Sequence, residues 1–217
     1  MYRIDGAYAH QFISLLDLLE IKTIIFTDLD LKRDEDEADA IPSNISDLDS
    51  KYTNESSCLS TNGALQYFIK KELGDEKAKN GDINNKIIEL IKNEELTIKY
   101  KNISLFSQGK INGYYATSFE EAIVLTNAID DDDEKKYKKS LVKLLQHVHP
   151  KMKYFGDINE NSDIASKSYM YQVKLSDGKS KFSSGIVYLS VTDDNFNLKQ
   201  PQYIESGLHL LCNYFEE

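Results

Sequence analysis

The stretch Lys22-Thr23-Ile24-Ile25-Phe26-Thr27-Asp28-Leu29-Asp30 decides the fold. Its β-branched first part is typical of a fully buried strand. Residues 1–4 predict a shorter strand, and residues 7–20 predict a helix between the two. The apolar face predicted for that helix comprises Phe12, Leu15, Leu16 and Leu19. This β-α-β order predicts a parallel sheet, and in such sheets functional residues collect at the carboxyl ends of the strands, where the Asp-Leu-Asp stands.

Beyond this unit the pattern becomes mostly helical. Residues 31–60 are rich in Asp, Glu, Ser and Asn, which predicts a flexible acidic insertion. Alternating apolar residues predict one strand at 96–106. Further helices are predicted at residues 62–72, 84–95, 118–127, 135–148, 162–175 and 182–190, with a last one from 201 or 203 to 216. The sequence therefore predicts an α/β core at residues 1–130 and a helical C-terminal part at 131–217.

Composition limits the possible functions. The 217 residues carry a net charge of −10, which argues against a surface that coats nucleic acid through many phosphate contacts but permits a local contact bridged by metal. No run approaches the roughly 20 apolar residues of a membrane span, and the first residues do not form a secretory signal. We therefore expect a cytoplasmic location. Cys58 and Cys212 match no disulfide or zinc pattern, so both are expected to be reduced and buried.

The Asp28-x-Asp30 pair is the first candidate for chemistry. Two carboxylates at the end of a buried strand suit Mg²⁺, which takes one or two protein carboxylates and keeps several waters for substrate to displace. A simple polar turn after the strand is the alternative interpretation. The buried character of the preceding strand favours the functional one.

Two further segments are weaker candidates when taken alone. Ser118 and Glu120 place a hydroxyl and a carboxylate at a predicted helix start, but a well-capped helix has the same pattern. Lys179 has the charge to stabilise a phosphate, although most lysines of an acidic protein are simply solvated. His147 and His149, at a predicted helix end, are expected to have surface or capping roles rather than to bind metal.

Six short segments occur in a characteristic order. They are Gly6-Ala7-Tyr8-Ala9-His10, Thr27-Asp28-Leu29-Asp30, Ser60-Thr61-Asn62, Ser118-Phe119-Glu120-Glu121-Ala122, Lys179-Ser180-Lys181-Phe182 and Pro201-Gln202-Tyr203-Ile204-Glu205-Ser206-Gly207-Leu208. This series resembles the C-terminal Toprim domain of the OLD-family (overcoming lysogenisation defect) nucleases, and it covers nearly the whole chain. The resemblance implies a Toprim-like parallel sheet flanked by helices.

The same resemblance implies a Mg²⁺- or Mn²⁺-dependent DNA endonuclease that acts in anti-phage defence. Asp28 and Asp30 would bind metal, Ser118 and Glu120 would complete a second metal site, and Lys179 would stabilise the charge of the transition state. Two metal ions would activate water and stabilise the leaving oxygen. An OLD-type ATPase domain or subunit is the implied partner, with oligomerisation through that partner.

The chain departs from the family pattern at three places. The family's first Toprim strand, which carries a metal-binding glutamate, would lie upstream of Met1, so the isolated chain is expected to be weakly active or inactive. Lys181 stands where the family often has Asp, and Ser183 where it has Ala.

Two alternative functions stay open. A haloacid-dehalogenase-type phosphatase also has a strand that ends in Asp-x-Asp, but its next characteristic position, Thr or Val, is Lys32 here. A degenerate Toprim remnant that serves only in assembly is the non-enzymatic alternative.

Overall fold

A computed structural model describes residues 6–31, 58–74, 77–92, 96–128, 135–148, 158–159, 161–176 and 178–216. The chain forms two compact units. The first contains the described residues up to Ser118 and those from Pro201 onward, and the second is formed by Phe119–Gln200. The unit boundaries therefore fall after Ser118 and before Pro201, whereas the sequence analysis placed one boundary at residue 130.

The helices and strands are numbered in chain order. They are a 3-10 helix Gly6–Phe12, α1 Ile13–Leu18, β1 Thr23–Phe26, α2 Gly63–Leu73, α3 Asn80–Lys92, β2 Leu96–Tyr100, β3 Ile103–Ser107, β4 Lys110–Ile111, β5 Tyr114–Tyr115, α4 Phe119–Asn127, α5 Lys135–Val148, a 3-10 helix Ala165–Lys167, α6 Ser168–Ser176, α7 Lys179–Thr192 and α8 Gln202–Glu216. The predicted α/β class is confirmed. The strand predicted at residues 1–4 and most of the acidic insertion lie outside the described residues.

The main sheet has the order β1-β3-β2, with β1 parallel and β2 antiparallel to β3. It is therefore mixed rather than purely parallel. The single strand predicted at 96–106 is wrong, because the chain turns at Lys101, whose φ is 51°. The alternation of apolar residues could have indicated this turn. The buried positions are even before it, at Leu96 and Ile98, and odd after it, at Ile103 and Leu105. β3 lies in the centre of the sheet and is buried along its whole length.

The helix predicted at residues 7–20 begins as a 3-10 helix and becomes α-helical only at Ile13. The predicted apolar face is largely wrong, since Leu15 and Leu19 are more than half exposed while Ala9 and Ile13 are buried. A 3-10 helix has 3.0 residues per turn, so the inward positions differ from those of an α-helix. Leu16 does pack against the core as predicted.

Helices α2 and α3 cover the core of the first unit. Asn62 caps α2 by accepting a hydrogen bond from Leu65 N, and Gly74 ends the helix in the left-handed conformation. The start predicted for α3 at Asn84 is wrong, since the helix begins at Asn80. Asn84 is buried inside α3, where its Oδ1 accepts a hydrogen bond from Leu59 N at 2.7 Å.

The second unit is helical and comprises α4 to α7. Its apolar core includes Val124, Leu141, Leu144, Leu175 and Phe182, each fully buried. The predicted ends of α6 and α7 are shifted by a few residues from those observed. Such shifts are usual, because helix ends lack the periodic signal of helix interiors.

Two further expectations can be compared with the described residues. Among the described residues, neither cysteine forms a disulfide, and Cys58 is buried as predicted. Cys212 is exposed on α8, so its predicted burial is wrong. None of the helices in the described ranges has both the length and the apolar character that a membrane span needs.

Helix α8 lies close to the sheet of the first unit at Gly207. A Cβ atom at this position would lie 2.5 Å from Cζ of Phe26, whose ring also contacts Phe106 and Tyr203. We expect Gly207→Ala to lower the free energy of unfolding by about 1–3 kcal/mol, because overpacking outweighs the gain in helix propensity. Urea denaturation measures this, with Leu208→Ala as the exposed control. Equal stability of Gly207→Ala and the wild type would contradict the expectation.

Candidate functional site

The Asp-Leu-Asp turn lies at the carboxyl end of β1, as predicted. Leu29 is fully buried, whereas Asp28 and Asp30 are each partly exposed. Asp30 has a φ of 45°, in the left-handed region that residues other than glycine rarely adopt. A buried leucine therefore anchors the turn between two partly exposed aspartates.

Backbone contacts hold this turn from two sides. Asp30 N donates to Thr117 O at 3.0 Å, and Thr61 N donates to Asp30 O at 3.0 Å. Ser60 Oγ donates to Leu29 O at 2.5 Å. These contacts fix the unusual conformation of Asp30, and they give the Ser60-Thr61-Asn62 segment a physical role.

A buried glutamine, Gln108, contacts the first carboxylate. Its Nε2 donates to Asp28 Oδ1 at 2.8 Å, and its Oε1 accepts from Leu29 N at 2.9 Å. Gln108 directly follows β3, which is parallel to β1. Both residues therefore stand at the same edge of the sheet. Gln108 was not among the predicted site residues, although its position just beyond a predicted strand was a signal.

A buried asparagine, Asn62, contacts the second carboxylate. Its Nδ2 donates to Asp30 Oδ2 at 3.0 Å, and also lies 2.8 Å from both Asp28 O and Thr27 Oγ1. The same side chain caps α2 through its Oδ1. Asn62 therefore joins the start of α2 to the turn after β1.

Helix α8 reaches this network through Tyr203. The hydroxyl of Tyr203 accepts a hydrogen bond from Gln108 Nε2 at 3.3 Å, and both residues are buried. The Pro-x-Tyr segment predicted from the family resemblance thus contacts the candidate site from about 95 residues farther along the chain. Tyr203 was not among the predicted site residues.

In the second unit, two other predicted residues come together. Glu120 on α4 and Lys179 at the start of α7 approach to 3.7 Å between Oε2 and Nζ. The Glu120 side chain is only 7% exposed, whereas that of Lys179 is 55% exposed. Oε2 of Glu120 is buried and accepts no hydrogen bond from the described residues. Buried polar atoms are nearly always hydrogen-bonded, so this carboxylate oxygen is open to a further partner.

The neighbouring Glu121 has a different environment. It is fully buried, and its Oε1 accepts a hydrogen bond from Ser168 Oγ at 3.0 Å. This contact joins α4 to α6 and indicates a structural role. Ser118 is buried directly before α4, and its role as a metal ligand stays a prediction.

The structure describes one of the two histidines predicted at a helix end. His147 stacks on Tyr188 at 5.0 Å between ring centroids, in line with the expected surface role, and His149 lies outside the described residues. Within the described part of the chain, no three His, Cys, Asp or Glu side chains form a group able to hold a metal ion.

Comparison with known proteins gives one informative match. No protein-family model and no solved structure matches the chain. Endonuclease GajA from Bacillus cereus (strain HuB5-5), an OLD-family nuclease, is 34% identical over 219 residues. The match covers all of this chain and 27% of that relative, so the chain spans about a quarter of the relative's length. The resemblance predicted from the motifs is thus confirmed, and the chain is similar over its full length to this OLD-family nuclease.

Proposed function

We propose that this chain is a Mg²⁺- or Mn²⁺-dependent DNA endonuclease domain of the OLD family. The observation that carries the proposal is the pair of accessible carboxylates, Asp28 and Asp30, held at the end of β1 by buried amide side chains. The similarity to a relative named as an endonuclease supports the same class of reaction. The reaction proposed is hydrolysis of a phosphodiester bond.

The residues fit a hard divalent cation. Carboxylate oxygens are the ligands that Mg²⁺ prefers, and two of them leave room for water and phosphate. Such a cation, when bound, lowers the pKa of a bound water and neutralises phosphate charge. Asp28 and Asp30 would bind it, and their fixed positions would reduce the cost of ordering the site.

Glu120 and Lys179 support a second part of the proposal. The buried Oε2 of Glu120 gains a partner if a cation binds there, as the resemblance implies for Glu120 with Ser118. Lys179 is exposed enough to reach a phosphate oxygen, and its ammonium would stabilise the negative charge that develops during cleavage.

The wider context is proposed from the family resemblance. An ATPase of the OLD type is the proposed partner, with oligomerisation through that partner. Anti-phage defence is the proposed biological role. The acidic composition fits this arrangement, because DNA contact would be local and bridged by metal rather than spread over a basic surface.

A substrate comparison tests the proposed reaction. With Mn²⁺ and the ATPase partner, we expect the chain to nick or linearise plasmid DNA and to leave an aryl phosphate unhydrolysed; without the partner, cleavage should be weak. Excess EDTA should stop the cleavage. Hydrolysis of the aryl phosphate without plasmid cleavage would instead favour the phosphatase. Mn²⁺ binding with no activity on either substrate, even with the ATPase partner added, would favour the assembly-only alternative.

A further inference from the structure

We propose that Asn62 and Gln108 are positioning residues that orient the two carboxylates for cation binding. This inference rests on the proposed function, because it concerns the cation site at Asp28 and Asp30. Each carboxylate accepts a hydrogen bond from one buried carboxamide, Asp28 from Gln108 and Asp30 from Asn62. The two carboxamides come from different segments, one before α2 and one after β3.

The orientation of the Gln108 amide is determined by its surroundings. Its Oε1 accepts hydrogen bonds from Leu29 N at 2.9 Å and Ser107 Oγ at 3.1 Å. Its Nε2 therefore faces Asp28 Oδ1 and Tyr203 OH. A flipped amide would place Oε1 against the carboxylate and leave the buried Leu29 N–H facing an amino group. Both changes are costly, so the donor stays directed at Asp28.

The Asn62 amide is fixed by the same logic. Its Oδ1 accepts from Leu65 N at 3.0 Å, which caps α2. Its Nδ2 therefore faces the turn, where it donates to Asp30 Oδ2. Asn62 N in turn donates to Ser60 Oγ at 3.0 Å, and the residue is 1% exposed. Helix capping thus has a second consequence, because it directs an amide donor at a carboxylate.

These donors would matter for cation affinity. Neighbouring carboxylates repel each other, and N–H donors offset part of that repulsion while limiting rotation of each carboxyl group. Polar groups that orient metal ligands typically contribute 10–100-fold to metal affinity. The residues involved lie in the interior of the first unit, so their geometry is set by the fold before a cation arrives.

The test uses a substitution that separates capping from positioning. Asn62→Ser keeps a side-chain oxygen for the α2 cap but removes the amide donor to Asp30. We expect calorimetry to show Mn²⁺ affinity reduced about 10–100-fold. The melting temperature should fall, as for the loss of any buried amide, but circular dichroism should show the variant folded. Gln108→Met, of similar size, should weaken binding in the same way, and circular dichroism establishes that it is folded.

Asn84→Ser is the matched control. Asn84 is also a buried asparagine whose Oδ1 accepts from a backbone N–H, but it contacts Leu59 rather than the Asp-Leu-Asp turn. Its substitution should lower the melting temperature and leave Mn²⁺ affinity unchanged. An equal loss of affinity in this control would overturn the inference, because general destabilisation would then explain every variant.

The remaining outcomes separate the inference from the proposed function. If the wild type binds Mn²⁺ and Asn62→Ser binds it equally well, the positioning role is wrong while the cation site stands. If the wild type does not bind Mn²⁺, the cation site is wrong and the positioning role is overturned with it.

Discussion

Replacement of Asp28 by alanine is expected to abolish Mn²⁺ binding and DNA cleavage. The substitution removes half of the carboxylate pair and leaves the buried Gln108 Nε2 without its acceptor at Oδ1. Loss of groups that merely orient a metal ligand costs 10–100-fold in affinity, so loss of a ligand itself should exceed about 100-fold. Calorimetry with Mn²⁺ and plasmid cleavage measure the two effects.

The variant Asp28→Asn distinguishes the loss of a ligand charge from a loss of folding in this experiment. An asparagine keeps an oxygen that can accept from Gln108, so the turn should remain intact while one ligand charge is lost. Asp17→Ala is a suitable control, because Asp17 is an acidic residue on α1 that pairs with Lys101 instead. Equal Mn²⁺ affinity in the wild type and in a variant combining Asp28→Ala with Asp30→Ala would show that this turn does not bind metal.

The sequence predicted the acidic turn but not the groups that hold it. A buried strand followed by Asp-x-Asp is a local pattern, and β1 with its turn lies where that pattern indicates. The amides of Asn62 and Gln108 lie 32 and 80 residues away from the carboxylates that they contact. Amide side chains have no periodic signature, so their convergence became visible only in three dimensions.

Secondary structure shows the same division between local and tertiary effects. The amphipathic helix α5 matches its predicted range, because its periodic pattern is strong. The N-terminal helix does not present its predicted face, since a 3-10 segment changes the rotation between successive residues. The hairpin of β2 and β3 turns at Lys101 and Asn102, without the glycine that usually marks such a turn.

The segments shared with the family acquire distinct physical roles in the structure. Ser60 and Asn62 hold the acidic turn, and Tyr203 contacts Gln108. Gly207 lets α8 approach Phe26 closely. The segment at residues 201–208 therefore combines a packing requirement, at Gly207, with a contact to the candidate site, at Tyr203.

Lys179→Ala is expected to slow DNA cleavage by roughly 10²–10³-fold while leaving Mn²⁺ binding at Asp28 and Asp30 nearly unchanged. Removal of one preorganised group that stabilises transition-state charge typically has an effect of this size. Lys179→Arg should retain part of the rate, because it keeps the positive charge. Lys181→Ala is the matched control, since Lys181 is exposed on the same first turn of α7.

The ion pair with Glu120 offers a competing explanation that a double variant resolves. If Lys179 serves only to neutralise the buried Glu120 carboxylate, Lys179→Ala should cause no further loss of rate in a Glu120→Gln background. If Lys179 acts on the phosphate, Lys179→Ala should slow cleavage in that background as well, because the ammonium is still missing from the reaction. Single-turnover cleavage rates of the wild type, the two single variants and the combined variant distinguish the two roles. If Lys181→Ala slows cleavage and Lys179→Ala does not, the role in stabilising the transition state belongs to Lys181 instead.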